Sequence, residues 1–175
     1  MIKSILLGTL LLLGLTGCSS TDLPKGVTPV TPFELDRYLG TWYEIRRLDH
    51  SFEEGLTDVT ATYSLREDGG VKVINKGFSK EDNEWSEAEG KAYFIDSSDV
   101  ARLKVSFFGP FYGAYNVAKL SDEYDMALII GPSFEYAWLL ARTPTPSKAQ
   151  CQRFLEAATT LGITEDQWIT VQTCQ

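Results

Sequence analysis

Two residue types suited to covalent or proton-transfer chemistry are scarce in this sequence, which has three cysteines, Cys18, Cys151 and Cys174, and one histidine, His50. A thiol can act as a nucleophile, as a lipid attachment point or as half of a disulfide. His50 stands alone in a polar stretch, without a second histidine to build a metal site, and a haem ligated by it would require the ring to face a cavity. Neither a Gly-x-Ser-x-Gly elbow nor a phosphate-binding glycine loop occurs. The expectation is therefore a protein that is not an enzyme and carries neither cofactor nor metal. Arg46 and Arg47 offer other chemistry, because paired guanidinium groups can hold a carboxylate or phosphate head group. Asp49, Glu53 and Glu54 lie close by, and they give the pair a second reading as a solvated salt-bridge surface.

The overall charge narrows the choice of partner. With 24 acidic against 16 basic side chains the 175-residue chain carries a formal charge of −8, the wrong sign for displacing counterions from nucleic-acid phosphates. At 43% hydrophobic and 12% aromatic residues, it has ample material for a packed core, which excludes disorder.

Cys18 has a specific setting. Lys3 is followed by an apolar run from Ile5 to Leu15, and these eleven residues are too few for a bilayer-spanning helix, which takes about 20. The run reads as a cleavable export signal over residues 1–17. Leu15-Thr16-Gly17-Cys18 resembles a bacterial lipobox, which implies that Cys18 becomes the acylated first residue of the mature chain. Ser19, rather than Asp, after that cysteine implies an outer-membrane destination, with the folded domain facing the periplasm. Residues 18–32, with Ser19, Ser20, Pro24, Gly26, Pro29 and Pro32, have the composition of a flexible tether, and 33–175 form the single domain. Cys151 and Cys174 remain as an even pair. An oxidising compartment permits a disulfide between them, closing about 24 residues and worth roughly 3 kcal/mol on chain-entropy grounds.

The elements that must position these residues are mostly strands. Val59, Ala61, Tyr63 and Leu65 alternate with Thr60, Thr62 and Ser64, the period of a half-buried strand. Asp68-Gly69-Gly70 turns this strand into a second, Val71 to Phe78. Further strands are expected at Trp85–Ile95, Arg102–Phe107, Tyr115–Leu120, Met126–Ile130 and Phe134–Arg142, and one more runs through Trp42. Thr145 is placed to cap a helix beginning at Pro146 and stopping at Gly162, and Trp168 to Val171 forms a short ninth strand. Eight sequential strands on short connections, with one late helix, fit an all-β, antiparallel up-and-down barrel with the helix packed outside. A barrel of eight strands has room for one small ligand.

Three stretches carry a family resemblance. Gly40-Thr41-Trp42 in the first strand, Asp122-Glu123-Tyr124 in a later turn and Ala141-Arg142-Thr143-Pro144 near the end resemble the three motifs of the lipocalins, with a small spacing difference in the second. Gly40 to Asn75, Gly90 to Phe94, Leu103 to Tyr115 and Trp138 to Thr145 are similar to the outer-membrane bacterial lipocalins. That resemblance implies a calyx whose narrow end is closed by Trp42 with Arg142 stacked on the indole. It also implies a protein that binds, stores or transports long-chain fatty acids or lysophospholipids.

Alternation assigns the inward, ligand-facing set: Val59, Ala61 and Tyr63; Val73 and Asn75; Ala88, Ala92 and Phe94; Leu103, Val105 and Phe107; Tyr115 with Val117; Met126, Leu128 and Ile130; and Tyr136, Trp138 and Leu140. Ala61, Ala88 and Ala92 are small enough to leave space for an acyl chain. The aromatic loop Phe107 to Gly113 has two readings, a lid on the barrel or a membrane or partner contact, and with Trp138 it is also placed for a homodimer contact. The competing function is an envelope stress or scaffold protein whose loops bind a partner and whose barrel is filled by its own side chains.

Overall fold

The computed structural model describes residues 20–175. The expected export signal, Cys18 and Ser19 lie outside the described residues. A short helix α1 (Leu35–Tyr38) precedes β1 (Gly40–Leu48), β2 (Leu56–Leu65), β3 (Val71–Ser79), β4 (Glu84–Phe94), β5 (Arg102–Ser106), β6 (Gly113–Leu120), β7 (Met126–Ile130) and β8 (Ala137–Ala141). Helix α2 (Lys148–Thr160) and β9 (Trp168–Thr170) follow. Each strand from β1 to β7 pairs antiparallel with the next, and β1 also pairs with β8, which closes the eight-stranded up-and-down barrel. Arg46 and Arg47 pair with Leu139 and Trp138 of β8 and at the same time with Thr170 and Ile169 of β9. β9 therefore occupies the edge of β1 that β2 leaves after Tyr43, and it lies outside the closed barrel.

Two apolar clusters flank the wall. The inner one gathers Trp42, Tyr63, Val73, Ala92, Leu103, Val117, Ala127, Ile129 and Leu140 inside the barrel. The outer one lies between the wall and α2 and contains Met126, Leu128, Ile130, Leu139, Phe154 and Ala158. This placement corrects the expected register of β7. Met126, Leu128 and Ile130 lie under α2, while Ala127 and Ile129 face the lumen. All five residues of β7 are buried because both its faces are covered, so its composition carries no alternation to read. Pairing fixes the direction: Leu128 lies opposite Leu139 and Ile129 opposite Trp138, and cross-strand partners project to the same face.

Helix α2 begins later than expected. Ser147, not Thr145, is its cap: the Ser147 hydroxyl accepts from Gln150 N at 3.2 Å, and the Gln150 side chain accepts from Ser147 N. Pro146 lies outside the helix, where its carbonyl accepts from Gln175 N. Cys151 and Cys174 are joined by a disulfide, with Cα atoms 6.5 Å apart, and so tie α2 to the chain end beyond β9.

The proline-rich segment is not a free tether over its described length. Ser20 O accepts from Ala114 N, Val30 N donates to Val117 O, Ala101 N donates to Val30 O and Phe33 N donates to Asp99 O. Val27 is buried in the outer cluster. Backbone bonds to neighbouring strands override a composition that locally favours an unpaired chain.

Candidate ligand site

The closed end is assembled by Arg142, which follows β8. Its guanidinium lies 4.1 Å from the centre of the Trp42 ring and donates to Arg37 O (2.7 Å), Thr41 O (3.0 Å) and Tyr124 O (3.2 Å). Trp42 Nε1 in turn donates to Tyr38 O at 2.8 Å, so α1 is fastened across the barrel floor. Gly40 has φ +93°, and a Cβ there would stand 3.3 Å from Arg142 Nη1. Only glycine takes that backbone freely beside the guanidinium. Gly40, Trp42 and Arg142 are thus the closure of the floor.

Above it the Tyr38 and Tyr115 hydroxyls meet at 2.7 Å, and those of Tyr63 and Tyr115 at 2.9 Å. Burial pushes all three phenols above their ordinary range, so they remain neutral hydrogen-bonding groups. Higher still, Ala61 pairs with Asn75 and Asn75 with Ala88, giving one row of small side chains on the inward face. Ala61 and Asn75 stay half-buried and Ala88 exposed, although they point into the barrel. β4 meets β5 only from Lys91 onward, which leaves the inner face at Ala88 open.

The other expected lumen residues divide clearly. Tyr63, Val73, Ala92, Leu103 and Leu140 are buried within the inner cluster, and Phe94, Val105, Phe107, Tyr115 and Trp138 pack on it half-buried. Val59 is buried over Gly77, where a Cβ would stand 3.2 Å from Val59 Cγ2. Tyr136 precedes β8 and lies at the mouth, its ring centre 6.1 Å from that of His50. Met126, Leu128 and Ile130 are not brought to the site.

A polar cluster that sequence reasoning missed lies beneath the mouth. A register shift between Glu44 and Arg46 turns Arg47 to the same face as Glu44, against simple alternation. Arg47 Nη1 donates to Glu44 Oε1 at 2.8 Å, and Nη2 donates to Glu53 O and Leu56 O, which folds the β1–β2 loop inward. Glu53 Oε2 accepts from Trp138 Nε1 at 2.9 Å and lies 3.0 Å from His50 Nε2. Burial and the neighbouring Glu53 carboxylate raise Glu44 to about 8, against the opposing pull of Arg47, so Glu44 holds its proton at neutral pH. Of the two arginines expected near the mouth, Arg47 is buried in this cluster and not part of a solvated surface, whereas Arg46 bonds Thr170 Oγ1 on β9. The legible signal was only the density of Glu, Arg and His between 44 and 53.

Residues 33–173 match the family described as a lipocalin-like domain. The chain belongs to the lipocalins. This lipocalin is 56% identical over 155 residues to "Outer membrane lipoprotein Blc" of Escherichia coli (strain K12), covering 89% of this chain and 88% of the relative. It is 52% identical over 159 residues to the protein of the same name from Vibrio cholerae, covering 90% and 92%. Insecticyanin from the tobacco hornworm Manduca sexta superposes with a TM-score of 0.67 over 88% of each chain at 18% identity, which establishes the shared barrel. Within that fold this lipocalin has a hydrophobic floor, a lumen with small residues at mid-height and an ionisable cluster under an aromatic mouth.

Proposed function

We propose that this lipocalin is a lipid-anchored binding protein that takes up long-chain fatty acids or lysophospholipids, one per barrel, and stores or transports them in the cell envelope. Its place is the outer membrane, in line with the names of its relatives. Residues 1–17 are removed, and Cys18 carries the acyl anchor. The observation that supports the lumen as the site is the Ala61–Asn75–Ala88 row, small side chains that point inward yet stay accessible to solvent. An acyl chain there buries apolar surface against the half-buried Ala61, Val105 and Phe107 and gains affinity from leaving water. Asn75 Oδ1, buried without a hydrogen-bond partner among the described residues, and the Glu44, Arg47, His50 and Glu53 group supply polar contacts for a head group above. The role proposed is binding and not catalysis, because the ionisable groups pair with one another and no nucleophile stands among them.

The test is native mass spectrometry with lipid extraction on the full chain purified from membranes. One co-purifying amphiphile per chain supports the reading. A protein that retains none, and takes up none from a broad panel of fatty acids and lysophospholipids, supports the scaffold role instead.

A further inference from the structure

The wall-bound N-terminal segment determines where an anchor on Cys18 must lie. The segment starts at Ser20, whose carbonyl accepts from Ala114 N at 3.0 Å, and Thr21 O accepts from Arg102 Nη2 at 3.2 Å. It ends at Phe33, bonded to Asp99 O in the β4–β5 turn of the closed end. Ala114 is the second residue of β6, directly after the loop that joins β5 to β6. In an up-and-down barrel that loop shares one end with the β1–β2, β3–β4 and β7–β8 connections, the end of the mouth. Cys18 precedes Ser20 by two residues, a reach of about 7 Å at most.

The same end carries exposed aromatic surface. Phe108 is 80% exposed, Phe111 is 53% exposed, and Phe52 on the β1–β2 loop is 59% exposed. Large apolar rings exposed together at one end are of the kind that mark a protein or a lipid contact. Here the chain that continues from Ser20 ends in the acylated cysteine, which places lipid, not a protein partner, within reach of them. The formal charge of −8 gives the barrel no attraction to anionic head groups, so contact must come from apolar insertion.

We infer that the barrel stands mouth-down on the bilayer, held by the acyl chains on Cys18 and by Phe108 and Phe111 inserted among the lipids. This rests on the lipoprotein reading proposed above and adds an orientation to it. An acyl chain acts with the loop as a second membrane signal, and two signals together hold a protein far more firmly than one. In this orientation an amphiphile passes between leaflet and lumen without crossing bulk water.

The test uses the full acylated chain in phosphatidylethanolamine and phosphatidylglycerol vesicles whose acyl chains carry bromine, a contact quencher of tryptophan. Phe108→Trp and Phe111→Trp report from the mouth, and Glu123→Trp reports from the exposed β6–β7 turn at the closed end. Each is read as added emission over the parent chain, with flotation of the vesicles recorded in parallel. The expected result is that the protein floats, that tryptophan at 108 and 111 loses most of its added emission, and that tryptophan at 123 loses none. Flotation with no quenching at 108 and 111, or with equal quenching at 123, overturns the orientation and leaves the lipid anchor standing. Failure to float removes the anchor itself, and the orientation with it.

Discussion

Glu44 and Arg47 meet inside the barrel wall at 2.8 Å, with both side chains almost wholly removed from solvent. Three residues apart on one strand they would face opposite ways, and only the register shift after Glu44 brings them together. Burial, and after it the nearby Glu53 carboxylate, favours the protonated form of Glu44, while Glu53 gives Arg47 only its backbone carbonyl.

That proton has a measurable consequence for stability. Glu44 is raised from 4.5 to about 8 on folding, so between these values the native state binds more protons than the unfolded chain. The contribution is fully present below pH 4.5 and is lost as pH rises through about 8, with a slope of up to about 1.4 kcal/mol per pH unit. Urea unfolding at pH 5, 6.5 and 8 is expected to give a falling stability in the parent chain and a flatter one in Glu44→Gln. Parallel slopes in the two proteins would contradict the assignment.

The closed end depends on the shape of the Arg142 side chain as well as its charge. Its three backbone acceptors and the face of Trp42 use a planar fork that lysine lacks. Arg142→Lys is expected to lower stability by about 2 kcal/mol, as hydrogen bonds from a charged donor are lost. Thermal and denaturant unfolding measure this, and a loss indistinguishable from zero would mean that the floor holds without the fork.

Reduction of Cys151–Cys174, or replacement of both by alanine, is expected to cost roughly 3 kcal/mol, because the unfolded chain regains the freedom of a closed loop. The barrel remains folded, since β1 to β8 close without α2. Denaturant midpoints with and without reductant, alongside far-ultraviolet circular dichroism, decide between a loosened end and a lost fold.

The two faces of β7 and the lumen row separate stability from binding. Leu128→Ala opens a void under α2 and is expected to cost about 2–5 kcal/mol with little change in ligand affinity. Ala88→Phe fills the open part of the lumen and is expected to weaken fatty-acid binding about tenfold, or 1.4 kcal/mol, with stability nearly unchanged. If Leu128→Ala weakens binding more than Ala88→Phe does, the facing of these strands is wrong.

The readability of the sequence followed the number of covered faces. Val59 to Tyr63 and Leu103 to Phe107 alternate apolar with polar because only one of their faces meets the lumen, so their inward residues were visible. Met126 to Ile130 is covered on both faces and shows no period, which is why its lumen pair, Ala127 and Ile129, was missed. The Glu44–Arg47 pair was hidden for another reason, since a one-residue bulge reverses the facing of everything after it and leaves no mark in composition. Residues 20–32 misled in the opposite direction: their prolines and glycine suit a tether, yet Ser20 and Val30 find partners on β6 that only the folded barrel supplies.

An acyl chain in the lumen would lie between Trp42 on its floor and Trp138 near its mouth, and both rings are placed to report it. The most direct measurement is a titration of the full chain with a long-chain fatty acid brominated at mid-chain, followed by tryptophan fluorescence and repeated on Ala88→Phe. The expected result is quenching that saturates at one ligand per chain and shifts to higher concentration in the variant. Quenching that never saturates, or that is identical in the two proteins, would contradict it.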